Sequence, residues 1–256
     1  MGSNGTSPRR VIGHMVVRNE LDRYLKHTLG WLRQLVDTLV VYDDNSTDGT
    51  AGYLQETCVP LAVRPPAVPS FMNDEGKFRQ AAWHAMENLA HPEPGDWVLV
   101  VDADEFLVAQ DPSTAYSRVR HLLTTEIDRA ATHGKTAVTF QVAEVYDPKP
   151  TQIRIDGFWG TILAPRLVAW QPNARFRPKT QGGGAVPAIA PGTDQIATDL
   201  ALLHYGYARS VDRHTRYDRY NGTAGHNPRH VQSINGRPEL RPWCGMQVPH
   251  PMKATP

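Results

Sequence analysis

The chain has 256 residues, 40% of them hydrophobic, and its formal net charge is +1. This length suffices for a large buried core, and so small a charge points to neither nucleic acid nor a membrane surface as a partner. The two cysteines are too few for a disulfide framework or a thiolate metal site. No run approaches the roughly 20 apolar residues of a membrane helix, and no secretory signal is recognisable. We therefore expect a soluble protein in the reducing cytoplasm, without membrane insertion.

Short apolar strands alternate with amphipathic helices in the first half of the chain. Strands are predicted at Val11–Val17, 38–42 and 97–101, and the last is apolar throughout, as a central parallel strand would be. One predicted helix follows Asn19, which can cap it, and another begins close to Arg79. This alternation predicts an α/β/α sandwich around a mostly parallel sheet.

The second half of the chain is less regular. A fourth strand is predicted at 137–142, and the Pro- and Gly-rich stretch 148–191 predicts irregular β structure and loops. An apolar run at 200–204 precedes a predicted helix, Ser210–Tyr220, whose first residue can cap it and which Gly222 can end. The region after about residue 227 has no assignable pattern.

Carboxylates follow two of the predicted strands directly. The second strand ends in DDNSTDGT, which begins with Asp43 and Asp44, and the third ends in DADE, residues 102–105. In open α/β sheets, ligands bind beyond the carboxyl ends of such strands. Asp102 and Asp104 share one side of an extended chain because side chains alternate, so they can serve one ligand together. Either segment alone could be a solvated turn or a helix cap.

Three segments together resemble the GT-A fold of family 2 glycosyltransferases. They are VVRNE at the end of the first strand, DDNSTDGT after the second, and VLVVDADEFL at the third. Their order and spacing match over residues 11–110. A looser similarity lies in LLHYG, residues 202–206, the segment in which many GT-A enzymes supply a histidine to the metal.

The resemblance implies a domain organisation. The GT-A catalytic domain would occupy residues 11–225, with a nucleotide-sugar-binding half at 11–110 and an acceptor half at 111–225. The polar, Gly- and Ser-rich composition of residues 1–10 separately predicts a disordered leader. Residues 226–256 would form a tail packed on or near the active site.

A metal site is the first functional expectation. The resemblance implies that Asp104 binds the metal directly, that Asp102 contacts the ribose or the metal through water, and that His204 completes the protein ligands. Oxygen ligands suit Mg²⁺ or Mn²⁺, and the imidazole favours Mn²⁺. Without the resemblance, His204 could equally be a hydrogen-bonded core histidine.

The nucleotide end of the donor has its own candidates. By the resemblance, an acidic residue after the second strand accepts hydrogen bonds from the base, which makes Asp44 the candidate, with Asp43 shaping the turn. Arg18 and Arg79 are placed to meet the base or the diphosphate, since arginine makes charge-assisted bonds to phosphate oxygens. Both arginines could also be surface charges.

The base that would deprotonate the acceptor is less defined. An inverting enzyme needs a carboxylate near the acceptor hydroxyl. Glu144 and Asp147, just after the fourth strand, are the candidates, and Asp156 and Asp194 stay open.

Arginines recur along the predicted helix Ser210–Tyr220. Arg213 and Arg216 share a face and are interleaved with Tyr217 and Tyr220. This pattern suits either a solvated amphipathic helix, the donor diphosphate, or an anionic acceptor such as hydroxylated-base DNA or a phosphorylated glycan.

The sequence therefore predicts a metal-dependent glycosyltransferase. It would move a sugar from a nucleoside diphosphate, UDP by the resemblance, to an acceptor hydroxyl, with inversion assumed. One alternative is a noncatalytic nucleic-acid-binding module, which would explain the arginine helix but not the two acidic loops. Another is a sugar nucleotidyltransferase, for which Arg18-Asn19-Glu20 offers no glycine-rich phosphate loop.

Overall fold

A computed structural model describes residues 9–148, 151–177, 184–190, 192–221 and 228–248. Most of the predicted leader, and Gly222 after the last predicted helix, lie outside the described residues. Arg10 lies within them and its guanidinium donates to Asp96, with Nη2 2.7 Å from Oδ2.

The described residues form ten strands and six α-helices. The strands are β1 (Val11–Val17), β2 (Thr38–Asp43), β3 (Leu61–Val63), β4 (Trp97–Val100), β5 (Glu105–Ala109), β6 (Ala137–Pro148), β7 (Thr151–Arg154), β8 (Leu163–Ala169), β9 (Asp194–His204) and β10 (Leu240–Pro242). The helices are α1 (Leu25–Leu32), α2 (Thr50–Glu56), α3 (Glu75–Ala90), α4 (Val119–Thr132), α5 (Ser210–Tyr220) and α6 (Pro228–Ile234). Short 3₁₀ turns lie at Tyr116–Arg118 and Gly157–Thr161.

One sheet joins all ten strands. Its main path runs β10-β7-β6-β8-β4-β1-β2-β3, while β9 pairs with β5 and β6 to one side. On this path only β7 and β8 run opposite to the other strands, and β4, β1, β2 and β3 are all parallel. Helix α3 packs on one face of the sheet, and α1, α2 and α4 pack on the other. The fold is an α/β/α sandwich, as the sequence predicted.

The apolar pattern of β4 explains its central place. All four residues are buried, because the strand lies between β1 and β8 with helices on both faces. Strand β1 divides its side chains between the two faces: Met15 packs with the α1 side, and Ile12 with the α3 side. The uniform apolar run is what a strand covered on both faces requires.

Several sequence expectations need correction. Asn19 caps no helix, because it has a left-handed backbone (φ 55°) and its side chain accepts from the Thr47 amide instead. Helix α1 therefore begins only at Leu25. Ser210 begins α5 as predicted, but Arg209 is the capping position and no side chain caps it.

The Pro- and Gly-rich stretch 148–191 contains more regular structure than expected. Strand β8 pairs with both β4 and β6, which places it in the middle of the sheet. Its Pro165 sits where the register of β6 shifts, so the ladder with β6 is interrupted near the residue that lacks an amide donor. Strand β3 was also missed, because three residues are too short to show a period.

The parallel strands place three polar loops at one edge. Val17 of β1 stands beside Asp43 of β2, and His14 of β1 stands beside Val100 of β4. The residues after these strands, Arg18, Asp44 and Asp102, therefore leave the sheet at the same edge.

Helix α1 is tied to the loop between β4 and β5. The buried hydroxyl of Thr28 donates to the carbonyl of Ala103 at 2.6 Å, and the indole of Trp31 donates to the carbonyl of Leu107 at 2.8 Å. These bonds hold the turn that carries Asp102 and Asp104 against α1.

Replacing Thr28 with valine keeps the shape of the side chain but removes the donor to Ala103. We expect the free energy of unfolding to fall by about 1–3 kcal/mol, the cost of a buried polar group losing its partner. Chemical denaturation measures this. Thr125→Val is the control, because its exposed hydroxyl bonds only within α4. Equal stability of the two variants would contradict this account.

Candidate active site

The turn between β4 and β5 holds three carboxylates at the carboxyl edge of the sheet. The amide of Glu105 donates to the carbonyl of Asp102 at 3.0 Å, and the amide of Asp102 donates back to the Glu105 carboxylate at 3.1 Å. These two bonds close the turn. Asp104 and Glu105 are buried, whereas the side chain of Asp102 is 32% exposed.

Glu105 and Asp102 lie beside Arg166 of β8. The guanidinium donates to both oxygens of Glu105, at 3.0 and 2.7 Å, and its Nη2 lies 4.0 Å from Asp102 Oδ2. Burial and the neighbouring Glu105 carboxylate raise the pKa of Asp102. Burial works in the same direction on Glu105, but the Arg166 guanidinium outweighs it and lowers the pKa of that carboxyl. Glu105 is thus a structural anion, and Asp102 is the more accessible one.

Histidine 204 bridges two carboxylates. It ends β9, which pairs with β5 and β6, so it stands opposite Glu105 on one side and Glu144 on the other. Its Nδ1 lies 2.6 Å from Glu144 Oε2, and its Nε2 lies 3.5 Å from Asp104 Oδ1. Burial alone would lower the pKa of His204, but the carboxylates of Glu144 and Asp104 raise it well above its ordinary value.

Arg216 of α5 makes the shortest contact to Asp104. Its Nη2 lies 2.7 Å from Asp104 Oδ2, and its guanidinium lies over the ring of Tyr207, 4.9 Å from the centroid. Burial would raise the pKa of Asp104, yet the charges of His204 and Arg216 prevail and lower it strongly. Asp104 is therefore an anion held between two cations.

Gly206 makes this arrangement sterically possible. A Cβ atom at this position would lie 2.3 Å from Arg216 Nη2 and 2.5 Å from His204 Nε2. Any side chain would therefore push at least one of these cations away from Asp104.

A second layer of charges surrounds Asp104. Arg23 donates to Glu20 at 2.6 Å, and its Nη2 lies 3.8 Å from Asp104 and 3.5 Å from Asp212. Asp212 in turn accepts two bonds from Arg209, at 2.7 and 2.8 Å. Burial and the nearby Asp104 charge raise the pKa of Glu20 to about 8. Glu20 therefore holds a proton at neutral pH, which limits the negative charge around Asp104.

Asp44 provides a further carboxylate at the carboxyl edge of the sheet. It is 2% exposed and accepts from Arg18 at 3.3 Å, from Arg64, and from the amide of Phe71 at 3.3 Å. Arg18 is half exposed, whereas Arg64 is largely buried. A ligand that reached Asp44 would therefore meet Arg18 first.

The other residues predicted to bind the nucleotide sugar are more deeply buried. Asp43 is buried and accepts from both the amide and the hydroxyl of Ser46, which closes the turn after β2. Arg79 is 7% exposed, donates to Glu75 at 2.8 Å and lies over the ring of Phe71.

The remaining predicted residues lie near the start of α5 and the end of β6. Arg213 uses Nη1 to donate to the backbone carbonyls of Tyr146, Tyr207 and Ala208, at 3.2, 2.7 and 3.0 Å. Asp147 of β6 lines a cavity next to Arg213.

Metal binding can be judged from the donor atoms. Within the described residues, no three His, Cys, Asp or Glu side chains are grouped so that they could hold a metal ion. Asp104 Oδ1 and His204 Nε2 lie 3.5 Å apart and offer an oxygen and a nitrogen, while Glu144 orients the imidazole from its other side, as outer carboxylates do at metal sites. Two protein ligands suit an ion that takes its other ligands from substrate phosphates and water. Asp102 does not join this pair, because its side chain lies towards Arg166.

Several residues of the cluster were assigned no role from the sequence. Arg166 lies in a stretch without clear periodicity. Glu20 and Arg23 are three residues apart, a spacing that pairs charges on helices, although here it lies just before α1. Gly206 was part of the LLHYG segment, but only the positions of Arg216 and His204 explain why a glycine is needed there.

Neither a protein-family model nor a curated protein matches the chain. Among solved structures, S. aureus TarS is similar over 88% of this chain and 42% of its own, with 16% identity and a TM-score of 0.48. A TarS fragment (1–349) in complex with UDP is similar over 88% of this chain and 69% of its own, with 13% identity and a TM-score of 0.45. Glucosyl-3-phosphoglycerate synthase from Mycobacterium tuberculosis, in complex with Mn²⁺, UDP-glucose and phosphoglyceric acid, is similar over 53% of this chain and 44% of its own, with 20% identity and a TM-score of 0.35. The chain spans less than half of the full TarS and synthase chains, and the similarity concerns the fold.

Gly206→Ala tests the packing around Asp104. We expect the free energy of unfolding to fall by about 1–3 kcal/mol, because the added methyl group overpacks a buried site. If the clash with Arg216 causes the loss, Gly206→Ala should cost less in an Arg216→Ala background, since contacting residues are not additive. Gly30→Ala is the control: Gly30 lies in α1 with open space around it, so alanine should stabilise by about 0.5–1 kcal/mol. Unchanged stability of Gly206→Ala would refute the steric argument.

Glu20→Gln tests the raised pKa. The folded protein holds the Glu20 proton up to about pH 8, whereas the unfolded chain releases it near 4.5. The stabilisation by this proton is thus complete below pH 4.5 and is lost as the pH rises towards 8. Denaturation at pH 5, 6, 7 and 8 should show a steeper loss of stability in the wild type than in Glu20→Gln. The exposed control Glu56→Gln should follow the wild type, and parallel curves for all three proteins would contradict the assignment.

Proposed function

We propose that the chain is a metal-dependent glycosyltransferase that uses a nucleoside diphosphate sugar. The observation that carries this proposal is the contact series Glu144–His204–Asp104–Arg216 at the carboxyl edge of the sheet. It combines two metal-ligating atoms with an arginine suited to phosphate. The strand order supports the same reading, because ligands of open α/β sheets bind at this edge.

Asp104 and His204 are the residues that would hold Mn²⁺ or Mg²⁺. The ion would neutralise the charge that develops on the leaving diphosphate. Glu144 accepts from His204 Nδ1 and so would orient Nε2 for binding an ion. We therefore assign Glu144 a positioning role, whereas the sequence suggested it as a base.

Arg216 is proposed to bind the donor diphosphate. Its Nη2 lies 2.7 Å from Asp104 Oδ2, so phosphate oxygens near an ion bound at Asp104 would be within reach of the guanidinium. Arginine forms paired, charge-assisted bonds to such oxygens. Arg23 lies behind it and adds positive charge on the same side of Asp104.

The nucleoside is proposed to lie between the ends of β1 and β2. Asp44 and Arg18 would meet the base, and the partly exposed Asp102 would meet the ribose. Arg64 and the Phe71 amide donate to Asp44 and so hold its carboxylate in place. Asp43 shapes the turn after β2. Arg79 supports the proposed nucleoside site by packing over the ring of Phe71. UDP is the donor nucleotide we propose.

Asp147 is proposed as the base in an inverting reaction. As the acceptor oxygen bonds to the anomeric carbon, the bond from that carbon to the diphosphate breaks, and the hydroxyl proton passes to the Asp147 carboxylate. The catalytic unit is proposed to comprise residues 11–225. A reducing, cytoplasmic setting is supported by the two cysteines, which are both unpaired. No helix within the described ranges is long and apolar enough to span a bilayer.

The nucleic-acid-binding alternative loses much of its support from the geometry of α5. Arg213 donates to backbone carbonyls and Arg216 contacts Asp104, so neither faces outward as a groove-binding arginine would. An anionic acceptor, DNA included, would have to be recognised elsewhere.

Asp104→Asn provides the direct test. UDP and Mn²⁺ together should raise the melting temperature of the wild type, and EDTA should abolish the shift, because a ligand that binds the native state stabilises it. Asp104→Asn should lose the metal-dependent shift, and Glu144→Gln should weaken Mn²⁺ affinity roughly 10–100-fold.

The control is Asp199→Asn, an exposed carboxamide substitution on β9 that should retain the full shift. Each variant is compared with and without ligand, so a change in its intrinsic stability does not affect the result. An undiminished UDP and Mn²⁺ effect in Asp104→Asn would overturn the metal assignment.

A further inference from the structure

A cavity of about 570 Å³ opens between β6, α5 and the segment that precedes β10. It is bounded by Tyr146 and Asp147 at the end of β6, by Ser210 and Arg213 at the start of α5, and by the segment 235–240 before β10. Its volume is within the roughly 300–1,000 Å³ typical of small-molecule sites.

The cavity and the Asp104–His204 centre share their supporting elements. Strand β6 carries Glu144 to His204 and then continues to Asp147, and α5 carries both Arg213 and Arg216. Arg213 of the lining donates to the carbonyl of Tyr207, and the Tyr207 ring lies 5.7 Å from the His204 ring and 4.9 Å from the Arg216 guanidinium. Tyr207 therefore links the cavity wall to the Asp104–His204 centre.

The walls of the cavity are built independently of any ligand. The Tyr146 hydroxyl donates to the carbonyl of Ile234 at 2.7 Å, and Arg154 donates to the carbonyl of Ser233 at 2.7 Å. The guanidinium of Arg213 lies 4.3 Å from the centroid of the Tyr146 ring. These contacts hold the end of α6 against β6 and β7, next to the segment 235–240 that lines the cavity.

The chemistry of the lining favours a neutral ligand. Its formal charges cancel, since Asp147 and Arg213 are the charged residues among those that line it. Part of the Arg213 guanidinium is already engaged with three carbonyls. Ser210 and Asn235 add neutral hydrogen-bonding groups, and Leu240 adds apolar surface.

We propose that this cavity is the acceptor subsite and that it takes a neutral saccharide. This inference rests on the proposed glycosyltransferase function and names the substrate class of the same site. A sugar presents hydroxyl groups to polar side chains and C–H faces to apolar ones, which matches the mixed lining. A phosphorylated acceptor would place its charge beside Asp147 without a free cluster of cations to compensate.

The experiment blocks the cavity without touching the donor site. Ser210→Trp introduces an indole at an exposed position of the lining, and the control Val211→Trp places it on the neighbouring residue, which is 58% exposed and does not line the cavity. Saturation-transfer NMR and calorimetry with maltose, cellobiose and lactose, each in the presence of UDP and Mn²⁺, measure saccharide binding. Glucose 6-phosphate and a DNA duplex are the anionic probes.

We expect at least one neutral saccharide to bind the wild type more tightly than either anionic probe. Its affinity should fall at least tenfold in Ser210→Trp and stay unchanged in Val211→Trp, while UDP and Mn²⁺ bind equally to all three proteins. Asn235→Leu, which keeps the approximate size but removes the amide, should also weaken saccharide binding.

Three results would overturn the inference: tighter binding of an anionic probe, no binding of any of the three saccharides, or equal saccharide binding by Ser210→Trp and the wild type. Each leaves the glycosyltransferase proposal standing if UDP and Mn²⁺ still stabilise the protein. If the wild type fails to bind UDP and Mn²⁺, the proposed function itself fails.

Discussion

The buried carboxylate of Asp104 is the constraint around which the site is arranged. It is 5% exposed, and an unpaired charge at such a depth costs several kcal/mol. The fold compensates it with His204 and Arg216, and more distantly with Arg23. Gly206 provides the space in which the first two can meet it. This concentration of opposite charges keeps Asp104 ionised.

The partners of Asp104 come from parts of the chain that are far apart, and the sheet brings them together. Strand β9 pairs with β5 and β6 at once, which places His204 between the carboxylates of Asp104 and Glu144. Helix α5 follows β9 after a short turn, so Arg216 reaches the same point from the other side. The topology of β9 is thus as important for the site as the acidic turn itself.

Local sequence patterns were sufficient for the parallel half of the fold. The apolar runs of β1, β2 and β4 and the polar loops that follow them are features of single segments, and the structure confirms the sandwich that they predict. Arg166 could not be predicted, because its role depends on β8 entering the sheet between β4 and β6. The cap at Asn19 was wrong for a similar reason: the Thr47 loop engages that side chain and delays the start of α1.

Helix α5 shows how much the spacing of residues in the sequence can predict. Spacing indicated that Arg213 and Arg216 share a face of α5, but it could not indicate which way that face is turned. In the structure the face is turned inward, where Arg213 binds backbone carbonyls and Arg216 binds Asp104. Arg213 and Arg216 suggested an anionic partner in the sequence, but in the structure their contacts are with other parts of the same chain. In the proposed function, Arg216 would be available to the donor phosphates, and the cavity lined by Arg213 would be left for the acceptor.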